Sequence, residues 1–421
     1  MVPGTTSQKL LSTVDHLIVV MMENRSFDHF LGALRSDRAY PSAAKIDGLR
    51  GKEAVVDSKG KIWRSYREQQ LASSDLPHSW KAAHLQYNQG KNNGFLKSAM
   101  GYYDRKQLPI LYALADQYTV CDRWFCSVLG ETWPNRFYLH AATAQGIKKY
   151  GPMPASQATV WDRLTARGRV GKNYFAGRVA WYSAAFLEKI VAGRSTMVPT
   201  KIEEFFKDAR AGTLPDFAVI DPDFWANDDH PPHSVALGEA FIGSIVQAVA
   251  QSPQWARTLV VIAYDENGGF YDHVPPPSTV DLRPEFARLG FRVPAIAVGP
   301  MVRAGYVNST QLEHVSLAAT LHTRFEIASL GPRSDVTADL SSCINPASMS
   351  GAPGLPKPRM PSTEISQAML DARPAEPPID PEMDALLQRI PSSHLDVRSD
   401  AERLNSWMTY AETLKSIRRV K

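Results

Sequence analysis

The chain has 421 residues, of which 44% are hydrophobic and 21% are charged, a composition typical of a soluble globular protein. This length accommodates one large α/β domain with insertions, or two domains. A formal net charge of +4, without a dense block of Lys and Arg before the last few residues, argues against nucleic acid as a partner.

The cysteines and the apolar runs of the sequence indicate the kind of cellular environment in which the protein folds. Cys121, Cys126 and Cys343 are too few for a disulfide framework or a cysteine-only zinc site, so we expect small buried side chains. The first ten residues lack the pattern of a classical signal peptide, and no apolar run approaches the roughly 20 residues that cross a bilayer. The sequence therefore predicts a soluble protein, either cytoplasmic or exported by a non-classical route.

The first strong pattern is an uninterrupted apolar run over residues 17–22, which predicts a strand covered on both faces in a parallel sheet. Similar runs cover 217–220, 259–264 and 293–299, and residues 234–251 show the spacing of a crossover helix. Strands that alternate with helices indicate βαβ units. The expected fold is therefore an α/β/α sandwich with a mainly parallel central sheet.

Residues 39–101 form a long polar stretch with weak periodicity. Loops of this length in a compact domain are usually functional or disordered, and the aromatic residues here argue against disorder. We expect this stretch to cover the carboxyl edge of the sheet as walls of a cleft. Trp181 and Tyr182, after a strand-like Asn173-Tyr-Phe, are predicted to reach the same cleft.

The composition changes after residue 342. We expect a catalytic domain over 1–342, a Pro-rich linker or arm over 343–381 and an amphipathic helical segment over 382–421. One face of the last helix carries Leu404, Trp407, Met408, Ala411 and Leu414. This stripe must be buried, and three options stay open: its own domain, a second subunit of a homo-oligomer, or a membrane surface.

Polar side chains follow two of the predicted strands directly. Glu23 and Asn24 come after 17–22, and Asp265 and Glu266 come after 259–264. Because the carboxyl ends of parallel strands share one edge, we expect both pairs to meet there. Three carboxylates at one point repel one another unless a cation or protons neutralise them. The simplest explanation is that they bind one divalent metal ion. The alternative is that some of these groups only cap helices.

A second pattern is Gly130-Glu-Thr132-Trp-Pro134-Asn-Arg136. Thr132 falls where a helix is expected to begin, and amide groups at a helix amino end can hold a phosphate. Beside a metal ion, this hydroxyl could lose its proton and attack phosphorus. From the local pattern alone, Thr132 is equally well explained as a helix cap.

Histidines form the third group of candidates. His230 and His233 lie in a Pro-containing turn, and His273 follows Asp265 and Glu266 by a few residues. Histidine can bind phosphate oxygens or protonate a leaving alkoxide near neutral pH. His314 fits either a structural or a functional role.

These residues together resemble the phosphoesterase family of bacterial and plant non-specific phospholipases C and related acid phosphatases, in the alkaline phosphatase superfamily. The resemblance covers roughly residues 15–330. It is carried by Glu23-Asn-Arg-Ser-Phe-Asp-His-Phe-Leu-Gly32, His78 with Trp80, Gly130-x-Thr-x-Pro-Asn-Arg136, Asp228-Asp-His-Pro-Pro232 and Tyr264-Asp-Glu-x-Gly-Gly-Phe-Tyr-Asp-His-Val-Pro-Pro276.

The resemblance implies roles for individual residues. The ligands of a single divalent metal ion, either Ca, Mg, Mn or Zn, would be Glu23, Asn24, Asp265 and Glu266. Thr132 would be the nucleophile and form a phosphothreonine intermediate. His230 and His78 would line the phosphate and assist the leaving group, while His273 would act from further away.

The resemblance further implies a metal-dependent phosphodiester hydrolase of phospholipase C type. It would cleave phosphatidylcholine-like lipids to diacylglycerol and a phosphorylated head group, with transient contact to a membrane surface. An acid phosphatase of small phosphomonoesters, or an inactive metal- and phospholipid-binding protein, are the alternatives. Aromatic faces can hold a quaternary ammonium, and the candidates are Trp80, Trp133, Trp181, Tyr182 and Trp225.

Overall fold

A computed structural model describes residues 6–57, 59–373 and 381–420. The first five residues, and residues 374–380 of the predicted Pro-rich arm, lie outside this description. The strands are β1 (His16–Met22), β2 (Ala54–Val56), β3 (Ile62–Arg64), β4 (Tyr66–Arg67), β5 (Gly101–Tyr102), β6 (Thr119–Cys121), β7 (Gly171–Phe175), β8 (Thr200–Lys201), β9 (Phe217–Asp221), β10 (Thr258–Tyr264), β11 (Ala295–Val298), β12 (Tyr306–Asn308), β13 (Thr363–Ser366) and β14 (Ile417–Val420).

The α-helices are α1 (Thr6–Leu11), α2 (Phe27–Phe30), α3 (Trp80–Tyr87), α4 (Pro109–Gln117), α5 (Thr132–Ala141), α6 (Val160–Ala166), α7 (Trp181–Ala185), α8 (Leu187–Val191), α9 (Ile202–Ala211), α10 (Val235–Gln251), α11 (Val315–Phe325), α12 (Pro332–Val336), α13 (Gln367–Asp371), α14 (Pro381–Gln388) and α15 (Asp400–Thr413). Short 3-10 helices cover Gly32–Arg35, Asn88–Gly90, Lys97–Met100, Trp255–Arg257, Pro284–Phe286, Leu340–Cys343, Pro346–Ser350 and Ser392–His394.

Within the described residues, the central sheet has eight strands in the order β12-β6-β11-β10-β1-β9-β7-β8. The strand β1 runs parallel to both β10 and β9, and Val19 lies between Val261 and Val219. Every residue of β10 is buried, as expected for a strand covered on both faces. The predicted strands at 17–22, 217–220 and 259–264 and the predicted mainly parallel sheet are confirmed.

One strand runs against the expected direction. The segment predicted at 293–299 forms β11, which is antiparallel to both β10 and β6. If β11 were parallel to β10, the chain between them would have to cross over to the edge of the sheet at which β10 begins. Between β10 and β11 the described chain forms only the short 3-10 helix Pro284–Phe286, so it re-enters the sheet from the edge at which β10 ends.

The helices form two groups, one around α10 and one around α11. The predicted crossover helix is α10, which contacts β1, β10, α4 and α9, and the hydroxyl of Ser234 accepts a hydrogen bond from the amide of Ala236 at its start. In the other group, α11 contacts α1, α5 and α12. Helical layers around a mostly parallel sheet confirm the predicted α/β class.

The long polar stretch over 39–101 is ordered by its own small core. It contains the β2–β3 hairpin, the β4–β5 pair and α3. The apolar side chains Leu76, Phe95 and Met100 pack with Phe270 and Phe291. Because Phe270 closely follows the end of β10, this packing places the insertion over the carboxyl edge of the sheet.

The carboxyl-terminal helix α15 packs on its own domain. The indole nitrogen of Trp407 donates a hydrogen bond to the Ser244 hydroxyl on α10 at 2.9 Å, and Tyr410 stacks on Phe206 of α9. The stripe is therefore covered within the chain, as the first of the three options predicted, while a homo-oligomer through the carboxyl-terminal segment remains a prediction. The division at residues 342 and 381 remains a prediction.

All three cysteines are buried, as predicted, and the sulfurs of Cys121 and Cys343 are 3.7 Å apart. Among the described helices, none has the length and apolar character needed to span a bilayer.

Candidate active site

The ends of β1 and β10 bring the two predicted polar pairs together. Met22 is paired with Tyr264, so the next residues of both strands emerge side by side. The amide of Asn24 donates a hydrogen bond to Oδ1 of Asp265 at 2.9 Å, although the two residues are 241 positions apart in sequence. The predicted meeting of the two pairs at one sheet edge is confirmed.

Two tight turns pack backbone against backbone here. Asn24 has a φ of 57° and Gly268 has a φ of 58°, both in the left-handed region. A Cβ atom at Gly268 would lie 2.1 Å from the carbonyl oxygen of Asn24, so only glycine fits. The amide of Gly268 donates to Oε2 of Glu266 at 2.6 Å, which holds that carboxylate in the turn.

Thr132 is the first residue of α5 and faces this edge. Its hydroxyl oxygen lies 3.3 Å from Oε2 of Glu23 and 3.4 Å from Oδ1 of Asn24. The side chain of Asn135 holds the preceding turn, because its oxygen accepts from the amide of Val128 and its nitrogen donates to the carbonyl of Gly130. The side chain of Glu131, the N-cap residue of α5, makes no capping hydrogen bond, so it leaves the first amides of the helix available to an anion.

Arg136 was given no role from the sequence, yet it is central to this site. It lies one turn after Thr132, and residues four apart share one face of a helix. Its guanidinium is 2.6 Å from Glu23 Oε1, 3.0 Å from Asp221 Oδ1 and 3.5 Å from Asp265 Oδ2. A cation was expected to neutralise the carboxylates at this edge, and Arg136 shows that the chain itself supplies part of that charge.

Burial strongly perturbs the remaining charges. Burial, and then the nearby Asp265 carboxylate, raise the pKa of Glu23 and of Glu266 well above the ordinary range. Burial also raises the pKa of Asp221 despite its contact with Arg136. One guanidinium therefore does not compensate all of these carboxyl groups, and the site favours additional positive charge.

The oxygen atoms fit a hard divalent cation. Among the described residues, Asp265 Oδ2 and Glu266 Oε1 are buried without a hydrogen-bond partner. Buried oxygens without partners are rare unless something else binds them. Carboxylate and amide oxygens of this kind are ligands of magnesium, calcium and manganese.

Two groups of His and Asp side chains in the described chain have ligand atoms that all lie within 4.8 Å of one another. The first is Asp75, His78 and His230, and the second is Asp28, Asp272 and His273. Neither includes the predicted carboxylate ligands. Asp75 was not identified from the sequence, because nothing in its local pattern distinguishes it from an ordinary loop residue.

The first of these groups adjoins the predicted metal ligands. The Nδ2 atom of Asn24 lies 3.3 Å from Nε2 of His78, whose Nδ1 is 2.6 Å from the carbonyl of Leu76. These partners assign the Nδ1–H tautomer to His78, with Nε2 as acceptor. The rings of His78 and His230 are 5.7 Å apart. The structure thus brings His78, with His230 beside it, next to the same side-chain amide of Asn24 whose oxygen lies near Thr132.

His273 contacts none of the predicted ligands. It binds Asp28 through Nδ1 at 2.7 Å and Asp47 through Nε2 at 3.2 Å, beside Arg292. Burial lowers its pKa, but hydrogen bonds to Asp28 and Asp47 outweigh this and raise the pKa to about 10. These contacts fix the loop after β10 to the chain after β1.

His314, whose role the sequence did not decide, lies next to the backbone of Asp265, one of the predicted metal ligands. Its Nε2 is 2.7 Å from the carbonyl oxygen of Asp265, and its Nδ1 accepts a hydrogen bond from the indole of Trp124. His314 therefore holds the backbone of Asp265 in place. No signal in the sequence separates such a contact from that of an ordinary buried histidine.

The predicted aromatic walls are only partly supported. Trp80, Trp133 and Trp225 are half-buried, and Trp80 lies against Gly130. Tyr182 is fully buried, and Trp181 is only 5% exposed and packs against His140 and Phe137. The prediction that Trp181 and Tyr182 line a cleft is wrong, because α7 packs its aromatic face into the core.

Comparison with known proteins gives consistent matches. The model of the Phosphoesterase family matches residues 14–328. Non-specific phospholipase C1 of Arabidopsis thaliana is 33% identical over 375 residues, which cover 76% of this chain and 68% of that protein. Phospholipase C A of Mycobacterium tuberculosis is 28% identical over 407 residues, covering 80% and 78%. The solved structure of a protein in the alkaline phosphatase superfamily from Vibrio parahaemolyticus is 10% identical with a TM-score of 0.42, covering 80% of this chain and 78% of that one.

Proposed function

Because this chain belongs to the phosphoesterase family and is a phosphoric ester hydrolase, we propose that it cleaves phospholipids as a phospholipase C. The substrate would be a phospholipid, and the products diacylglycerol and a phosphorylated head group. The observation that carries the proposal is the Thr132 hydroxyl, which faces Glu23 and Asn24 at the uncapped amino end of α5. The relatives named phospholipases C support the same substrate class.

One divalent cation would be held by Glu23, Asn24, Asp265 and Glu266. Asp265 Oδ2 and Glu266 Oε1, which are buried without a hydrogen-bond partner in the described chain, support this assignment. When bound, such a cation neutralises charge on the phosphoryl oxygens and favours the ionised form of a nearby hydroxyl.

Thr132 would act as the nucleophile. Its oxygen attacks phosphorus, the bond between phosphorus and the glycerol oxygen breaks, and a phosphothreonine forms. The first amides of α5 point toward the phosphoryl oxygens and stabilise their negative charge. Water then cleaves the phosphothreonine and releases the phosphorylated head group.

His78 and His230 would transfer the proton that the departing glycerol oxygen requires. Their rings lie side by side next to Asn24, which places them near the phosphoryl group held at Thr132. Arg136 would contribute by position, because its contacts with Glu23 and Asp265 hold these two side chains in place. The substrate class implies transient contact with a lipid surface.

The test is the substitution Thr132→Ala, assayed with p-nitrophenyl phosphorylcholine. Loss of a covalent nucleophile should lower kcat by at least about a thousandfold. Thr143→Ala, at another half-buried threonine, is the matched control and should keep near-normal turnover. Near-normal turnover of the Thr132→Ala protein would remove this residue from the mechanism.

The same assay separates the alternatives. A higher kcat/KM for p-nitrophenyl phosphate than for p-nitrophenyl phosphorylcholine would favour an acid phosphatase. No hydrolysis of either ester with any divalent metal would favour a binding protein without turnover.

A further inference from the structure

An aromatic surface borders the proposed nucleophile. Trp80 lies two residues after His78, and a Cβ atom at Gly130 would be 3.2 Å from its ring. Phe286 packs against Trp80 with ring centroids 4.8 Å apart. Because Gly130 precedes Thr132 by two residues, the Trp80–Phe286 surface lies where the head group of a bound phosphodiester can reach it.

A cation of the chain already occupies this surface. The ammonium nitrogen of Lys148 is 4.8 Å from the centroid of Trp80 and 5.9 Å from that of Phe286. Both distances are within the range of cation–π attraction. In the described part of the chain, Lys148 forms no ion pair with a carboxylate, so its charge is uncompensated there.

The neighbouring lysine differs in this respect. Lys149 is 3.4 Å from Oε2 of Glu382 and lies over the ring of Tyr150. Both lysines are exposed and adjacent in sequence, but only Lys148 lies on the Trp80–Phe286 surface. Lys149 therefore provides a matched control for the loss of one positive charge at this rim.

We propose that Lys148 determines head-group preference by placing its own ammonium where the quaternary ammonium of a choline would otherwise bind. This inference rests on the proposed phospholipase function. A choline must displace Lys148 from the rings and also approach its positive charge, and both effects weaken binding. A head group without positive charge meets neither obstacle, and an anionic one gains from the free ammonium. The favoured substrates are therefore phospholipids with neutral polyol or anionic head groups.

The experiment compares the binding of phosphocholine with that of glycerol 3-phosphate by calorimetry, using the full chain with a divalent cation in the buffer. The two ligands share the phosphoryl group, so the ratio of their dissociation constants isolates the head group. For Lys148→Gln, the ratio should shift toward phosphocholine by about three- to tenfold. Lys148→Glu should shift it further in the same direction, and Lys149→Gln should leave it within about twofold of wild type.

Turnover provides an independent measurement. The relative kcat/KM of p-nitrophenyl phosphorylcholine over p-nitrophenyl ethyl phosphate should rise by a similar factor in Lys148→Gln. An unchanged binding ratio in both Lys148 variants, or no binding of either phosphoester to the wild type, would overturn the proposal. Wild-type protein that binds both ligands but hydrolyses neither diester would refute the phospholipase function, while the binding ratio would still decide the role of Lys148.

Discussion

Replacing Arg136 with methionine tests how charge is balanced at the proposed site. The side chain is 1% exposed and contacts three carboxylates, at 2.6 Å from Glu23, 3.0 Å from Asp221 and 3.5 Å from Asp265. Methionine keeps much of the volume but removes the charge. We expect Arg136→Met to destabilise the protein and to increase its dependence on a divalent cation.

The magnitude follows from burial. Removing one partner of a buried ion pair typically costs about 3–5 kcal/mol, because the other charge stays buried and uncompensated. This is a large share of the about 5–15 kcal/mol that stabilises a typical domain. The cost should fall at lower pH, because burial already raises the pKa of Glu23 and Asp221 and loss of the guanidinium raises both further.

A bound divalent cation should replace part of the lost charge. A ligand present at a hundred times its dissociation constant stabilises the folded state by about 2.7 kcal/mol. Because Arg136→Met removes a positive charge beside the proposed metal ligands, the variant should bind the cation more tightly than the wild type. The gain in stability on adding magnesium, manganese or calcium should therefore be larger for the variant.

Chemical denaturation with and without added cation, at pH 5 and pH 7.5, measures both effects. Arg333→Met is the matched control, because Arg333 is 3% exposed and pairs with Glu313 at 2.8 Å and Asp281 at 3.1 Å. It should lose comparable stability without a changed response to the cation. A loss below about 1 kcal/mol for Arg136→Met, or equal stabilisation of wild type and variant by the cation, would refute this account of the charge balance.

Two further predictions concern regions around the site. The pKa of His273 is raised to about 10 from its usual 6.5, so protonation of His273 stabilises the fold fully below pH 6.5 and progressively less as the pH rises toward 10. The urea concentration at the midpoint of unfolding should therefore fall over that range more steeply for wild type than for His273→Gln. Equal slopes would contradict the pairing of His273 with Asp28. Asp223 lies in the loop after β9, its pKa is raised by burial to about 6, and Arg403 of α15 lies 3.4 Å from it. Arg403→Met removes this partner, so it should lower the free energy of unfolding by about 1–3 kcal/mol. It should also raise KM, because the loop after β9 loses this contact. An unchanged midpoint and KM would show that α15 does not support that loop.

Strand ends were the most predictable part of this fold. Buried parallel strands leave continuous apolar runs, so β1 and β10 are visible in the sequence without any tertiary information. The polar residues after each run then lie at a shared edge by geometry alone. This is why the contact between Asn24 and Asp265 could be predicted across 241 residues.

Direction and side-chain orientation were not predictable in the same way. The apolar pattern of β11 is compatible with either strand direction, and its antiparallel pairing depends on the path of the preceding loop. Trp181 and Tyr182 have the composition of a cleft wall, but the orientation of α7 turns them into the core. The apolar stripe on α15 correctly predicted that one face of this helix is buried. It did not predict that α10 and α9 cover this face, because tertiary contacts decide that.

Arg136 shows why a site can be located from sequence while its charge balance cannot. A carboxylate cluster predicts that positive charge is needed, but not whether an arginine, a metal ion or protons provide it. In this chain three carboxyl groups, those of Glu23, Asp221 and Asp265, contact the guanidinium of Arg136, and the Asp265 carboxylate raises the pKa of Glu266. A phosphodiester is itself an anion, and a net negative site would repel it. Arg136 therefore supplies part of the compensating charge, and the divalent cation proposed above would supply the further charge that binding of an anionic substrate favours.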